Sequence, residues 1–184
     1  SYGGPCFPRD NLALIATARK VGAPADIAEA TDRFNRWQVG WLADLVWAYL
    51  PEGGVVGILG LAYKPDTDVV EESVGMLLAG ELRERGAKVV VHDLAGMANA
   101  RRVLGDGVIF ASSPQACVEA SDVVVVTTPW REFTLVPREA WGRNSPPRVV
   151  IDCWRVLRGL EGCDGVIYVP LGKGESRPCY EGSA

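Results

Sequence analysis

A single histidine, His92, supplies all the imidazole in this chain of 184 residues. That scarcity removes most imidazole-dependent chemistry. No zinc site of mixed Cys and His spacing can be assembled. A cysteine hydrolase or acyl-transferase needs a histidine base beside its thiol, and His92, at the end of an expected second strand, is poorly placed for that task. The five cysteines (6, 117, 153, 163 and 179) show no Cys-x-x-Cys spacing. An odd count in a chain of this length is expected of reduced thiols in the cytoplasm rather than of a disulfide framework. No apolar run reaches the roughly 18 residues a spanning helix needs, and the first residues do not read as a secretory signal. Basic runs are also missing: the net charge is −4 and the arginines are scattered, which gives no footprint for nucleic acid or a membrane surface. The remaining class is a soluble globular protein with room for one domain plus an appendage, and with no metal expected.

The chemistry that is present gathers at the start, in Ser1-Tyr2-Gly3-Gly4-Pro5-Cys6-Phe7-Pro8-Arg9-Asp10. A thiol, a guanidinium and a carboxylate share one Gly/Pro-rich stretch, and an apolar helical pattern follows at once. Asp10 or Asn11 is expected to cap that helix, which leaves Cys6 just ahead of a helix N-terminus, where the dipole and Arg9 favour a thiolate. The plain alternative is a cysteine acting as a small apolar filler. Gly3 and Gly4 allow close backbone approach to a ligand. Because the chain opens inside this motif, it is expected to be a fragment or a protein whose N-terminal portion is absent.

Residues 11–21 read as a short helix closed at Gly22. Pro24 to Leu50 then reads as one long amphipathic helix, with Ile27, Thr31, Phe34, Trp41, Leu42, Leu45, Val46 and Tyr49 at spacings of three and four. Trp37, Trp41 and Trp47 add bulk on more than one face, as expected of a spine that also pairs subunits; a plain core helix is the alternative. Pro51-Glu52-Gly53-Gly54 marks a boundary between residues 1–50 and residues 51–184. Beyond it, β-branched runs at 55–59, 88–92, 108–111, 123–128, 149–152 and 166–169 read as strands buried on both faces. Helical patterns at 70–85, 95–104 and 114–120 lie between the first four, and 137–142 forms at most a short helix. The expected fold is α/β, a Rossmann-like doubly wound parallel sheet preceded by the long helix.

Gly57-Ile58-Leu59-Gly60-Leu61-Ala62 imitates a dinucleotide fingerprint without being one. Its pattern is G-x-x-G-x-A, no helix opens directly after it, and no acid stands about 20 residues on; Asp93 is too far along. Lys64, past the first strand, instead points into the crevice where open α/β sheets hold ligands, able to meet a phosphate or a sugar hydroxyl; a solvated turn lysine is the alternative. Arg155 takes an equivalent place past the fifth strand. Trp130, just past the fourth strand, can stack on a base or cover the sheet.

Two of these stretches carry a resemblance. Gly3-Gly4-Pro5-Cys6-Phe7-Pro8-Arg9-Asp10 resembles the G-G-x-C-F/L-P-K-D signature of the UDP-glucose/GDP-mannose dehydrogenase family, with Arg9 in place of the usual lysine. Gly60 to Asp68 is similar to that family's G-L-A/S-F/Y-K-P-x-T-D segment, which opens its UDP-binding domain. Residues 122–133 and Ile151 to Leu157 resemble the family's T-E-W-x-E-F and D-G-R-x-V/L segments. The resemblance implies oxidation of a sugar-nucleotide alcohol to a carboxylate with NAD as cofactor, held mostly by an N-terminal domain that this chain lacks. It implies pairing into a homodimer through the 24–50 helix. By position it implies that Tyr63, Lys64 and Arg155 contact the sugar nucleotide. Glu71 stands where many members carry an arginine that helps hold NAD, so that contact is not carried over. Phe7 and the Tyr63-Lys64-Pro65 run lean towards UDP-glucose over GDP-mannose.

The residues would support that chemistry. A thiolate from Cys6 adds to the aldehyde intermediate, giving a thiohemiacetal that becomes a thioester on loss of hydride, and Asp10, one helical turn along, positions the water that cleaves it. Gly3 and Gly4 would lie against the sugar and Phe7 beside it. A nucleotide-sugar binding module without catalysis is the rival reading.

Overall fold

β-branched runs decide the architecture, and in the computed structural model, which describes residues 1–143 and 145–173, they pair as one sheet. Its strands are β1 (Val55–Leu59), β2 (Lys88–His92), β3 (Ile109–Phe110), β4 (Val123–Val126), β5 (Arg148–Asp152) and β6 (Val166–Pro170). All neighbours are parallel, in the order β3-β2-β1-β4-β5-β6. The strand order reverses between β1 and β4. That is the switch point at whose carboxyl ends open sheets of this type form a crevice.

Alternation along each strand feeds two cores. Val56, Ile58, Val89, Val91, Val123, Val125, Val149 and Ile151 face one layer, built by α2 (Asp26–Tyr49), α3 (Val74–Glu84) and α4 (Met97–Leu104). Leu59, Val90, Val124, Val126 and Val150 face the other, with α5 (Pro114–Glu119), α6 (Arg138–Trp141), Phe133 and Leu160. Burying each such side chain stabilises the fold by about 1.5–3 kcal/mol, which is why the strands need no polar face.

The helices ahead of the sheet begin elsewhere than expected. α1 (Phe7–Val21) starts at Phe7, with Pro8 in its first turn and Cys6 itself at the capping position. Neither Asp10 nor Asn11 caps it: Asn11 donates to Ala28 O at 2.9 Å, tying α1 to α2, and Asp10 pairs with Arg9. Proline suits a first helical turn because its missing N–H has no partner there anyway, which is what allows the earlier start. α2 begins at Asp26, two residues past Pro24. Its C-terminal half, Leu42, Ala43, Leu45 and Val46, is buried in the first core. Its first and middle turns present Phe34, Trp37 and Trp41 to solvent, with rings 5.4 and 6.4 Å apart. Ile27, expected on the apolar stripe, is 85% exposed. α3 starts at Val74 rather than at residue 70, because Glu72 takes a positive φ of 51° and Ser73 caps the helix by accepting from Met76 N.

Among the described residues no helix is long and apolar enough to cross a membrane, and no group of three or more His, Cys, Asp and Glu side chains is placed to hold a metal ion. Cys179 and the end of the expected 51–184 segment lie outside the described residues.

Candidate functional site

The late start of α3 leaves residues 60–73 as a long loop at the carboxyl end of β1, and a buried carboxylate gives it a shape. Asp93, at the end of β2 and 1% exposed, accepts from the backbone of Leu61 (2.7 Å) and Ala62 (3.0 Å) through Oδ2. The same oxygen accepts from Trp130 Nε1 at 3.1 Å, while Oδ1 accepts from Ala95 N (2.9 Å) and Gly96 N (2.6 Å). Thr127 and Thr128, past the end of β4, donate to Gly60 O and Ala62 O, each at 2.6 Å. Ser73 Oγ donates to Leu61 O at 2.6 Å. The acid that in a dinucleotide fold would face a ribose is thus committed to the chain's own backbone. A Cβ on Gly75, at the start of α3, would run into Gly60 O, so α3 lies backbone to backbone on this loop and no G-x-G-x-x-G turn opens there. These residues do not fit NAD.

The cysteine stretch docks onto this loop. Gly4 N donates to Glu71 O at 3.0 Å. Gly4 has φ +89°, and a Cβ there would sit 2.7 Å from a carbon of the Tyr63 ring. Gly3 lies against Glu72 O as closely. Both glycines are therefore required by contact with the loop, and Gly4 by its backbone as well. On the other side, Tyr2 is bonded to Asn35 of α2. Cys6 is exposed and two residues past Gly4, a span of at most about 7 Å, so the thiol stays at the rim of the loop that carries Tyr63 and Lys64. Asp10 N donates to Cys6 O at 2.8 Å, setting Asp10 one turn along the same face; its carboxylate is exposed and pairs with Arg9 Nε at 3.1 Å. Phe7 is 75% exposed and meets Tyr2 edge-on at 6.4 Å. Lys64 is exposed, with Nζ 5.5 Å from the centre of the half-buried Tyr63 ring.

A second buried carboxylate builds the loop after β5. Asp152 accepts from Trp154 N (3.1 Å) and Arg155 N (2.7 Å) through Oδ1, and from Leu157 N (2.7 Å) and Tyr168 Oη (2.9 Å) through Oδ2. Burial and that bond to Asp152 together raise the Tyr168 pKa. Arg155 adopts φ +59° and its side chain is exposed at the carboxyl end of the sheet. β4 separates β1 from β5, so Arg155 is about 10 Å across the sheet from the Lys64 loop.

The structure separates residues that sequence patterns group together. Trp130 is buried with its indole on Asp93, so it closes the sheet end and does not face a base. His92 is buried with Nδ1 3.0 Å from Ala111 O, at the β2–β3 side of the sheet, which leaves the hydrolase reading without a base. Trp154 went unnoticed in the sequence. It is 52% exposed, its Nε1 donates to Thr127 O at 2.8 Å, and counted from Asp152 it occupies the arginine place of the D-G-R spacing, with Arg155 one residue beyond. Trp154 also lines, with Trp37, Trp41, Thr127 and Cys153, a cavity of about 570 Å³ between α2 and the carboxyl ends of β4, β5 and β6. Cys6, Asp10, Lys64 and Arg155 do not line that cavity. Burial pushes the thiols of Cys117 and Cys153 up to about 12, so neither is a nucleophile at neutral pH.

The chain is similar to several known proteins. The chain is 30% identical over 176 residues to the UDP-glucose 6-dehydrogenase of Rhizobium meliloti, covering 94% of this chain and 40% of that protein. It is 34% identical over 164 residues to the UDP-glucose 6-dehydrogenase of Haloferax volcanii, covering 89% and 37%. The chain therefore spans about two fifths of the length of these curated relatives. Among solved structures, a UDP-glucose dehydrogenase from Pyrobaculum islandicum superimposes with a TM-score of 0.74 at 34% identity, over 92% of this chain and 37% of that one. The sequence model for the UDP binding domain of one enzyme family matches residues 57–159, more than half of the chain, and on that match the chain belongs to the UDP-glucose/GDP-mannose dehydrogenase family.

Proposed function

We propose that this chain is the C-terminal part of an NAD-dependent nucleotide-sugar dehydrogenase that oxidises UDP-glucose to UDP-glucuronate. The observation that carries the reading is the docking of Gly3 and Gly4 on the Tyr63–Glu72 loop, which keeps an exposed cysteine at the rim of the UDP-binding unit. Residues 1–50 supply the thiol loop and the helical pair, and residues 51–184 the sugar-nucleotide unit. Lys64 and Arg155, both exposed at the carboxyl ends of the strands, meet the diphosphate or the sugar, and Gly3, Gly4, Tyr63 and Phe7 enclose the sugar. Cys6 Sγ adds to the aldehyde carbon to give a thiohemiacetal. After that carbon has lost its hydride the sulfur holds a thioester, and a water positioned by Asp10 cleaves it. NAD, which takes up the hydrides, is held mostly by an N-terminal domain outside this chain, a reading supported by a β1 loop that lacks the dinucleotide fingerprint. The described cysteines are all free, which suits the reducing cytoplasm.

In the complete enzyme, Cys6→Ser is expected to abolish carboxylate formation from UDP-glucose while UDP still binds. Unimpaired acid production removes Cys6 from the mechanism, and turnover of another sugar nucleotide in preference to UDP-glucose moves the substrate to GDP-mannose or a relative. The exposed Phe34, Trp37 and Trp41 on α2 support homodimer pairing through that helix. Replacing Phe34 and Trp37 by serine is expected to yield monomers in sedimentation velocity; an unchanged dimer places the interface elsewhere.

A further inference from the structure

The geometry points to Asn35 as the positioning residue that holds the thiol loop in register, through the backbone of Tyr2. Asn35 Oδ1 accepts from Tyr2 N at 2.8 Å and Asn35 Nδ2 donates to Tyr2 O at 2.9 Å. One amide thus satisfies both polar groups of one residue, as a neighbouring strand would. Only a carboxamide carries the donor and the acceptor side by side that this requires. The side chain is not replaceable by its isosteres: a carboxylate would set an oxygen against Tyr2 O, and leucine would leave both groups unpaired.

Tyr2 is held for its backbone rather than its phenol. Its hydroxyl is buried and without a hydrogen-bond partner among the described residues, a cost that the clamp and the edge-on contact with Phe7 offset. Two residues on, Gly4 N is tied to Glu71 O, and Gly3 and Gly4 rest on Glu72 and Tyr63. The segment from Tyr2 to Gly4 is therefore strapped at one end to α2 and at the other to the β1 loop. Cys6 follows immediately, where α1 begins. With so few residues between strap and sulfur, releasing the Asn35 end changes where Sγ sits relative to Tyr63 and Lys64. The catalytic meaning of that position rests on the reading of Cys6 as the nucleophile; the position itself does not.

The test uses the whole chain and needs no substrate. Wild-type and Asn35→Ala proteins are pulsed with iodoacetamide at neutral pH, and labelling of Cys6 and Cys117 is followed by peptide mass spectrometry, with Gly4 amide exchange followed by NMR. Asn35→Ala is expected to speed Gly4 exchange at least tenfold and to change the Cys6 labelling rate at least threefold, while Cys117, fully buried, stays unlabelled. An unchanged Gly4 exchange or an unchanged Cys6 rate overturns the proposal. Should Asn35→Ala also open Cys117, the isosteric Asn35→Asp decides on the same readouts. If the complete enzyme makes acid without Cys6, the functional reading fails while the loop measurement stands, so the two failures are told apart.

Discussion

Two loops meet at the rim of the sheet, and they are held in opposite ways. The β1 loop, residues 60–73, is pinned from beneath: Asp93 takes up two of its backbone N–H groups, and Ser73, Thr127 and Thr128 bond three of its carbonyls. The thiol loop is strapped from its sides, by the Asn35 clamp on Tyr2 and by Gly4 N on Glu71 O. The first arrangement uses buried bonds, two of them to a carboxylate, that exchange with water only when the core opens. The second uses a few neutral bonds near the surface. The division suits the proposed chemistry, in which the pinned loop would offer a sugar nucleotide a fixed surface and the strapped loop would aim the sulfur while keeping the freedom to approach and leave a substrate carbon.

The largest expected effect comes from removing the pin. Asp93→Ala leaves five N–H groups without their acceptor, those of Leu61, Ala62, Gly96 and the Trp130 indole, which are buried, and that of Ala95, which is partly so. The loss is expected to be about 3–5 kcal/mol, which for a chain of this size lowers Tm by roughly 10 °C. Calorimetry measures it directly. A fall of under about 3 °C would mean that water or neighbouring groups replace the carboxylate, and the contrast between pinned and strapped loops would lose its basis.

The distribution of contacts also explains what the sequence could reveal. Strands β1 and β2 lie where the β-branched runs end, because a strand buried on both faces writes its limits in its own residues. The strand–helix alternation leads to a parallel sheet without any tertiary information. The start of α1 was available too, in a proline that fits a first helical turn, but the cysteine stretch reads as loop because of its glycines. What was not legible depends on pairing. Asp93 reads only as an acid too distant for a fingerprint, since its role needs β2 beside β1 and Trp130 brought across from β4. Asn35 is one polar residue on a long helix until Tyr2 is laid against it. Trp130 and Trp154 look alike as residues just past a strand. Only the direction of each ring distinguishes the one that fills the core from the one that walls a cavity. Glu72 hides the true start of α3, because a non-glycine residue with positive φ leaves no trace in composition.

The finest test of the comparison sets two glycines against each other. Gly4 and Gly22 both have positive φ, +89° and +70°, so alanine costs each about 1–2 kcal/mol in backbone conformation. They differ in what surrounds them. A Cβ at Gly22, the cap of α1, meets nothing within 4 Å, whereas at Gly4 it enters the Tyr63 ring. Gly22→Ala is therefore expected to lower Tm by a few degrees, about 2–4 °C per kcal/mol, and to leave Cys6 labelling by iodoacetamide as it was. Gly4→Ala adds an overpacking cost of about 1–3 kcal/mol, but a strapped loop escapes that cost by detaching. The penalty is then limited to the free energy of local opening, and Tm moves no further than for Gly22→Ala. The effect shows instead in faster exchange at residue 4 and an altered Cys6 labelling rate. Should Gly4→Ala lower Tm as far as Asp93→Ala does, the thiol loop is as much a part of the cooperative core as the loop it rests on, and its freedom to move against the substrate has to be given up.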